Sequence, residues 1–325
     1  MEFPRRVFLQ LAAAAAALPA TTRMASASDY PARPARILVG FPPGGAADIG
    51  ARIIAQWLSE RLGQQFIVEN RSGAAGNIAT EAVVRAPADG YTLLAVTVNN
   101  TVNGAVYQKL GFNFIRDITM VAGIIRQPLV LEVNPTVPVN SVTEFIAYVG
   151  ANPGKISMAS FGTGTVSHVA GELLKMRAGI DMIHVPYRGG ARMVADLLGG
   201  QVQAAIDSLP SSIEHIRAGT LRALAVTTAM RSKALPNVPA MSEFLPGFEA
   251  SGWICIGAPV GTPPEIIDKL NQEINAGLAD PTVNEPLANV GGETFVSSPA
   301  ELAKFVAEKT EAWAKVVRAA NIRAE

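Results

Sequence analysis

Ile37-Leu38-Val39, then Phe41-Pro42-Pro43-Gly44-Gly45, then Ala46-Ala47-Asp48-Ile49 read as an apolar strand, a glycine-rich loop and the first turn of a helix. Apolar residues recur at steps of four (Ile49, Ile53, Trp57) with Ile54, Leu58 and Leu62 beside them, helical spacing over residues 48–62. Gly63 closes that helix. Phe66-Ile67-Val68 is a second strand, Asn70-Arg71-Ser72-Gly73 a second loop, and residues 77–86 a second helix. Asp89-Gly90 turns the chain into the strand Tyr91–Val96. Near-continuous apolar strands joined by helices predict an α/β fold with a parallel sheet covered on both faces.

The same unit recurs further on. Leu129–Val133 is a strand, Ser141-Val142-Thr143-Glu144 a capping box opening the helix Phe145–Ala151, and Ile156–Ser160 the next strand. Phe161-Gly162-Thr163-Gly164 then leads into a helix over 165–177. Ile183-His184-Val185, Ala204-Ala205-Ile206 and Leu221–Val226 are further strands, with a helix over Arg192–Leu198. Leu235–Gly247 carries no period, and a late strand, Trp253–Gly257, precedes a mainly helical end. Two such sets predict two sheets, and a return of 253–257 to the first set would make two passages between lobes. The period alone fits one large doubly wound sheet as well.

Composition narrows the function. In 325 residues, 27 Lys and Arg balance 27 Asp and Glu, so no basic excess exists to hold a nucleic acid. The N-terminus departs from the rest: Arg5-Arg6 precede an apolar run from Val7 to Leu18, and Ala25-Ser26-Ala27 offers small residues for cleavage. Residues 1–27 are predicted to be a signal peptide, twin-arginine-like at Arg5-Arg6-Val7-Phe8-Leu9, and the mature protein to lie in the periplasm. The apolar run is shorter than the roughly 20 residues a membrane span requires. The lone Cys255, inside Trp253–Gly257, reads as a small buried hydrophobe.

The two glycine-rich loops are the candidate binding elements. Glycines let backbone amides turn toward a ligand, and the unpaired N–H groups of a first helical turn favour an anion. Asp48 can cap its own helix or accept a bond from a ligand's amino or hydroxyl group. Thr163, Thr165 and Ser167 add hydroxyls to the second loop. Asp207, closing the strand Ala204–Ile206, sits where carboxylates often face the ligand crevice of an α/β sheet, or else caps a local turn. The expected arrangement holds a ligand carboxylate on main-chain N–H groups of residues 43–45 and 163–165. Asp48 and Asp207 would then meet a donor group at its far end, favouring an acid with one carboxylate.

Catalytic readings are thinner. His168, His184 and His215 lack metal-ligand spacing, no dinucleotide or Walker motif is present, and no nucleophile elbow surrounds Ser72 or Ser160. No cofactor, no metal and no enzymatic activity are expected. A metal-independent α/β enzyme, motivated by polar residues at strand ends, is the alternative.

At these loops the sequence resembles the Bug, or TctC-like, family of tripartite tricarboxylate transporter receptors. The resemblance rests on Phe41–Gly45 with Asp48 and Arg52, on Val68-Glu69-Asn70-Arg71 with Gly73, and on Pro87–Leu94. It continues through Asn152-Pro153-Gly154-Lys155, Gly162–Thr165 with His168, His184–Gly189, Leu197–Val202, Arg222–Thr227 and Gly261-Thr262-Pro263. The resemblance implies a type II periplasmic binding protein with two lobes around a ligand cleft: residues 28–127 and 251–325 in lobe 1, 128–250 in lobe 2. It implies a monomeric receptor that captures a small organic carboxylate and delivers it to the membrane components of a tripartite tricarboxylate transporter, or a sensor with no transport role. The ligand-binding residues it implies are Phe41, Pro43, Gly44, Gly45, Asp48, Gly162, Thr163, Gly164, Thr165, His168 and Asp207. Ser72, Ala75 and Ala79 depart from the family's usual Pro, Gly and Gly.

Overall fold

The computed structural model describes residues 30–107, 109–289 and 291–323, so the signal-peptide expectation for 1–27 lies outside the described residues. The first unit forms as the sequence predicts. Strand β1 (Ala35–Val39) feeds helix α1 (Ala46–Leu62), which buries Ala47, Ala51, Ile54 and Leu58 and ends on Gly63 at φ 69°, a left-handed angle that glycine adopts without strain. Strand β2 (Phe66–Asn70), helix α2 (Asn77–Val84) and strand β3 (Thr92–Thr97) follow, with β1 parallel to both strands. Helix α3 (Val98–Val106) starts directly off β3, a helix that sequence periodicity did not pick out.

Strand β4 (Ile118–Val133) is about three times as long as the expected 129–133, because Gly123 and Pro128 look like breakers in the sequence but stay paired, the ladder shifting register between Met120 and Ala122 and between Gly123 and Ile125. Its residues 118–128 pair with strand β9 (Ser251–Pro259), which in turn pairs antiparallel with β3. From Leu129 onward β4 pairs instead with strands β7 (Ala204–Ser208) and β8 (Arg222–Val226). Strand β7 continues the second sheet through β5 (Ser157–Ser160) to β6 (Ile183–Pro186). The order is β2-β1-β3-β9-β4-β7-β5-β6, one strand serving two lobes.

Helix α4 (Val142–Ala151), helix α5 (Val166–Ala178), helix α6 (Gly190–Leu198) and helix α7 (Leu209–Arg217) cover the second sheet. Helix α8 (Pro264–Ala279) and helix α9 (Pro281–Asn289) return to the first, and helix α10 (Pro299–Ala319) packs on α3 and β4. Among the described residues no helix is long and apolar enough to cross a membrane.

The two passages between lobes are tied at Thr227, which is wholly buried. Its N–H donates to the Leu129 carbonyl at 2.9 Å, its hydroxyl accepts the Leu129 N–H at 3.1 Å, and its carbonyl accepts the Ala250 N–H at 2.9 Å. The hydroxyl proton also lies in reach of the Leu129 and Ala250 carbonyls. Cys255 is buried in β9, as its apolar setting predicts.

Candidate functional site

A cavity of about 60 Å³ lies between the lobes, enough for several water-sized groups. Five helices point their N-termini at it. Gly45, Ala46 and Ala47 come from α1, Thr97, Val98 and Asn99 from α3, Val166 from α5, Gly190 and Ala191 from α6, and Ser208 and Ser211 from α7. Phe41, Pro42, Pro43 and Phe161 of the two loops, and Gln127, Gly252, Trp253 and Ile254 beside the passages, complete the lining. The convergence follows from topology: in both sheets the strand ends lead straight into helices, so first turns collect at the crevice.

The electrostatics of this site come from backbone. Among the described residues no Lys, Arg or His lines the cavity, and Asp207 is its one ionisable side chain. Each helix N-terminus carries about half a positive charge, so an anion is favoured without a basic residue. Most loop amides are already engaged. Gly44 N–H donates to Asp48 Oδ2 at 3.0 Å, Gly164 N–H to His168 Nδ1 at 3.1 Å, Gly162 N–H to Ser160 Oγ at 3.3 Å, and Thr165 N–H to the Gly162 carbonyl at 3.2 Å. Pro43 has no N–H at all. Among the described residues none accepts the N–H of Gly45, Ala46, Ala47, Gly190 or Ala191, all of which line the cavity. The N–H groups of Val98 and Asn99 in α3 and of Ser211 in α7 likewise have no acceptor among the described residues, so the unengaged donors include the first turns of α1 and α6.

The expected site residues separate accordingly. Phe41, Pro43, Gly45 and Asp207 line the cavity, whereas Gly44, Asp48, Gly162, Thr163, Gly164, Thr165 and His168 do not. Phe41 and Phe161, one from each loop, meet edge to face at 6.3 Å. Asp48 is turned inward: Arg52 reaches both of its oxygens at 2.9 Å, and Asn70 Nδ2 donates to Oδ1 at 2.9 Å. Burial alone would raise its pKa, but the bonds from Arg52, Gly44 and Asn70 outweigh that and hold it below the ordinary value. His168 stacks on His184 with ring centroids 3.7 Å apart, and His184 Nε2 lies 2.7 Å from Ser160 Oγ. Burial, then the charge of Lys175, lowers the His168 pKa to about 4; burial, then His168, does the same for His184. Both rings are thus neutral near pH 7, and His168 Nδ1 is the acceptor that holds the Gly164 turn.

Asn99, Gln127, Gly190, Ser211 and Trp253 were not singled out from sequence. Gly189-Gly190 after the strand Ile183–Pro186 repeats the strand–glycine–helix signal of the first loop and was the available pointer. Gln127 carries no local signal, since its role depends on where β4 changes partners. Among the described residues no group of three or more His, Cys, Asp or Glu side chains could hold a metal ion.

Comparison with known proteins fits this geometry. The family model described as "Tripartite tricarboxylate transporter family receptor" matches residues 50–322. The Protein BugT of Bordetella pertussis (strain Tohama I) is 40% identical over 296 residues, covering 90% of this chain and 91% of that protein. The structure titled "R. palustris Rpa4515 with adipate" is 38% identical with a TM-score of 0.88, covering 91% of this chain and all of that one. MatC (Rpa3494) from Rhodopseudomonas palustris with bound malate is 30% identical with a TM-score of 0.83, covering 89% of this chain and all of that one.

Proposed function

This chain belongs to the tripartite tricarboxylate transporter receptor family, and we propose that it captures a small organic carboxylate in the periplasm and delivers it to the membrane components of such a transporter. The observation that carries this reading is the cavity where the unengaged first turns of α1 and α6 meet without a basic side chain. Fixed amides recognise an anion without the desolvation cost of a buried arginine. One carboxylate sits on Gly45, Ala46 and Ala47, with Gly190 and Ala191 facing it from the other lobe. Asp48 serves this site as a loop clamp and not as a ligand group, its oxygens being occupied by Gly44, Arg52 and Asn70. Residues 28–127 and 251–325 form one lobe and 128–250 the other, moving about the Leu129–Thr227 clamp. The receptor acts as a monomer and turns over nothing. Adipate and malate, found in relatives of this fold, are the first acids to test.

The test is a thermal-shift and calorimetry screen of the purified chain against adipate, malate, glutamate and benzoate. Stabilisation with an unchanged ligand recovered afterwards is the expected result. Product formation, or no response to any acid, sinks the receptor reading.

A further inference from the structure

Asp207 is fully buried, and of its two oxygens only Oδ1 is engaged, by the Ser208 N–H at 2.7 Å. Oδ2 has no partner, although Asp207 lines the cavity. On the adjacent strand Val130 pairs with Asp207 and Glu132 with Ala205, so Glu132 lies on the same face, two residues along. Glu132 is also fully buried, and both of its oxygens lack partners. Two buried carboxyl groups so placed are not both ionised, because burial penalises each charge and each would face the other's. Burial, then the charge of Asp207, pushes Glu132 well above the usual carboxylate range and outweighs the nearby Ser212 hydroxyl, so it keeps its proton. Asp207, held by one N–H, is the member that can ionise.

Among the described residues, Glu132 is the one titratable group facing Asp207. Strand β4 brings Glu132; α7 brings the hydroxyls of Ser208, Ser211 and Ser212; α6 brings Gly190; α5 brings Ser167 against β7. The first lobe adds the uncharged Gln127 and Asn99 at the cavity. Nothing basic is there to balance an ionised Asp207 once an anion enters.

We infer that capture of a ligand carboxylate beside Asp207 is coupled to the uptake of one proton by the Glu132–Asp207 pair. The proton goes to Asp207 Oδ2, which then donates a hydrogen bond to the incoming carboxylate. A second carboxylate on the ligand is therefore accepted at Asp207, where the sequence alone predicts repulsion. Burial raises the Asp207 pKa to about 7 against the one bond from Ser208, in keeping with a group that gains its proton near neutrality. This inference rests on the carboxylate-receptor reading above and adds the proton as a co-ligand.

The test is calorimetry with adipate and with malate at pH 8.5 and at pH 5.5, each in two buffers of different ionisation heat. Expected is uptake of close to one proton per ligand at pH 8.5 and close to none at pH 5.5. Affinity should fall about tenfold per pH unit between pH 8 and 9. Asp207→Asn, an isosteric neutral side chain, should retain binding with no proton uptake and no such fall. Infrared difference spectra of the unliganded protein between pH 6 and 8.5 should show a protonated-carboxyl band that Asp207→Asn lacks. Binding of either acid at pH 8.5 without proton uptake, or uptake that persists in Asp207→Asn, overturns the inference and leaves the receptor reading intact. Absence of binding by every acid of the screen instead defeats the receptor reading itself.

Discussion

Asn99 Oδ1 accepts the N–H of Val166 at 2.7 Å, a buried hydrogen bond that joins the first turn of α3 in one lobe to the first turn of α5 in the other. Asn99 Nδ2 donates to Thr97 Oγ1 at 3.2 Å, which fixes the side chain for this contact. Opening the lobes would break the Asn99–Val166 bond, so its energy belongs to the closed state. A typical buried hydrogen bond is worth about 0.5–1.5 kcal/mol. Asn99→Ala should therefore weaken carboxylate binding by roughly three- to tenfold while leaving unliganded thermal stability nearly unchanged. Calorimetry gives the first quantity, and small-angle scattering at saturation should show a larger radius of gyration than the parent protein.

Gly190 is a second point where the site can be altered without harming the fold. A Cβ there would lie 3.5 Å from Asp207 Oδ1 and 3.6 Å from Ser211 Oγ, ordinary contact distances. Gly190→Ala thus fits sterically, stabilises by about 0.4–1 kcal/mol through a less free unfolded chain, and occupies a corner of the proposed ligand site. Melting temperature should rise while affinity for adipate or malate falls. A variant that binds as the parent does would place the ligand away from α6.

The acid pair should be visible in stability as well as in binding. Asp207 holds its proton more tightly when folded, so its stabilising contribution is complete below about pH 3.8 and is lost as pH rises to about 7. The slope is roughly 1.4 kcal/mol for each pH unit crossed. His168 and His184 act in the opposite sense: lowered to about 4, they contribute stability that is present above about pH 6.5 and lost as pH falls toward 4. Denaturant melts of the parent and Asp207→Asn across pH 5 to 7.5 separate the two. The parent should lose stability relative to Asp207→Asn as pH rises, and a constant difference would mean Asp207 stays ionised throughout.

Thr227→Val keeps the shape of the clamp and removes its hydroxyl. The Leu129 N–H then loses its acceptor in a buried setting, at a cost of about 1–3 kcal/mol. The denaturant midpoint should drop accordingly, and amide exchange at Leu129 should accelerate before exchange elsewhere in β4.

Ala74 and Ala75 both sit at positive φ, 46° and 51°, in a loop where Asn103 Nδ2 donates to the Ala75 carbonyl at 3.0 Å. A Cβ in the left-handed region costs about 1–2 kcal/mol relative to glycine. Ala75→Gly should raise the unfolding midpoint, less the extra chain entropy that glycine loses on folding. A fall in stability would show that the Cβ makes a packing contact that outweighs its backbone strain.

The units strand–glycine–helix were readable from residue order because their signals are local. Ile37–Val39 is a continuous apolar run, Ile54 and Leu58 share one helix face, and Gly63 permits the left-handed turn that ends it. Asp207 near a strand end was readable for the same reason, since the carboxyl ends of strands in an α/β sheet border the ligand crevice. What residue order did not determine is which donors remain unengaged. Gly164 looks like an open amide until His168 Nδ1 is found 3.1 Å away, and Gly44 looks the same until Asp48 turns back to it. Pairing of Asp207 with Glu132 depends on the register of β4 against β7, two strands far apart in the chain. Hydrogen-bond satisfaction and burial of charge are properties of neighbours in space, so only the tertiary structure decided that free amides of α1 and α6 meet at the cavity and that two buried carboxyls share one face.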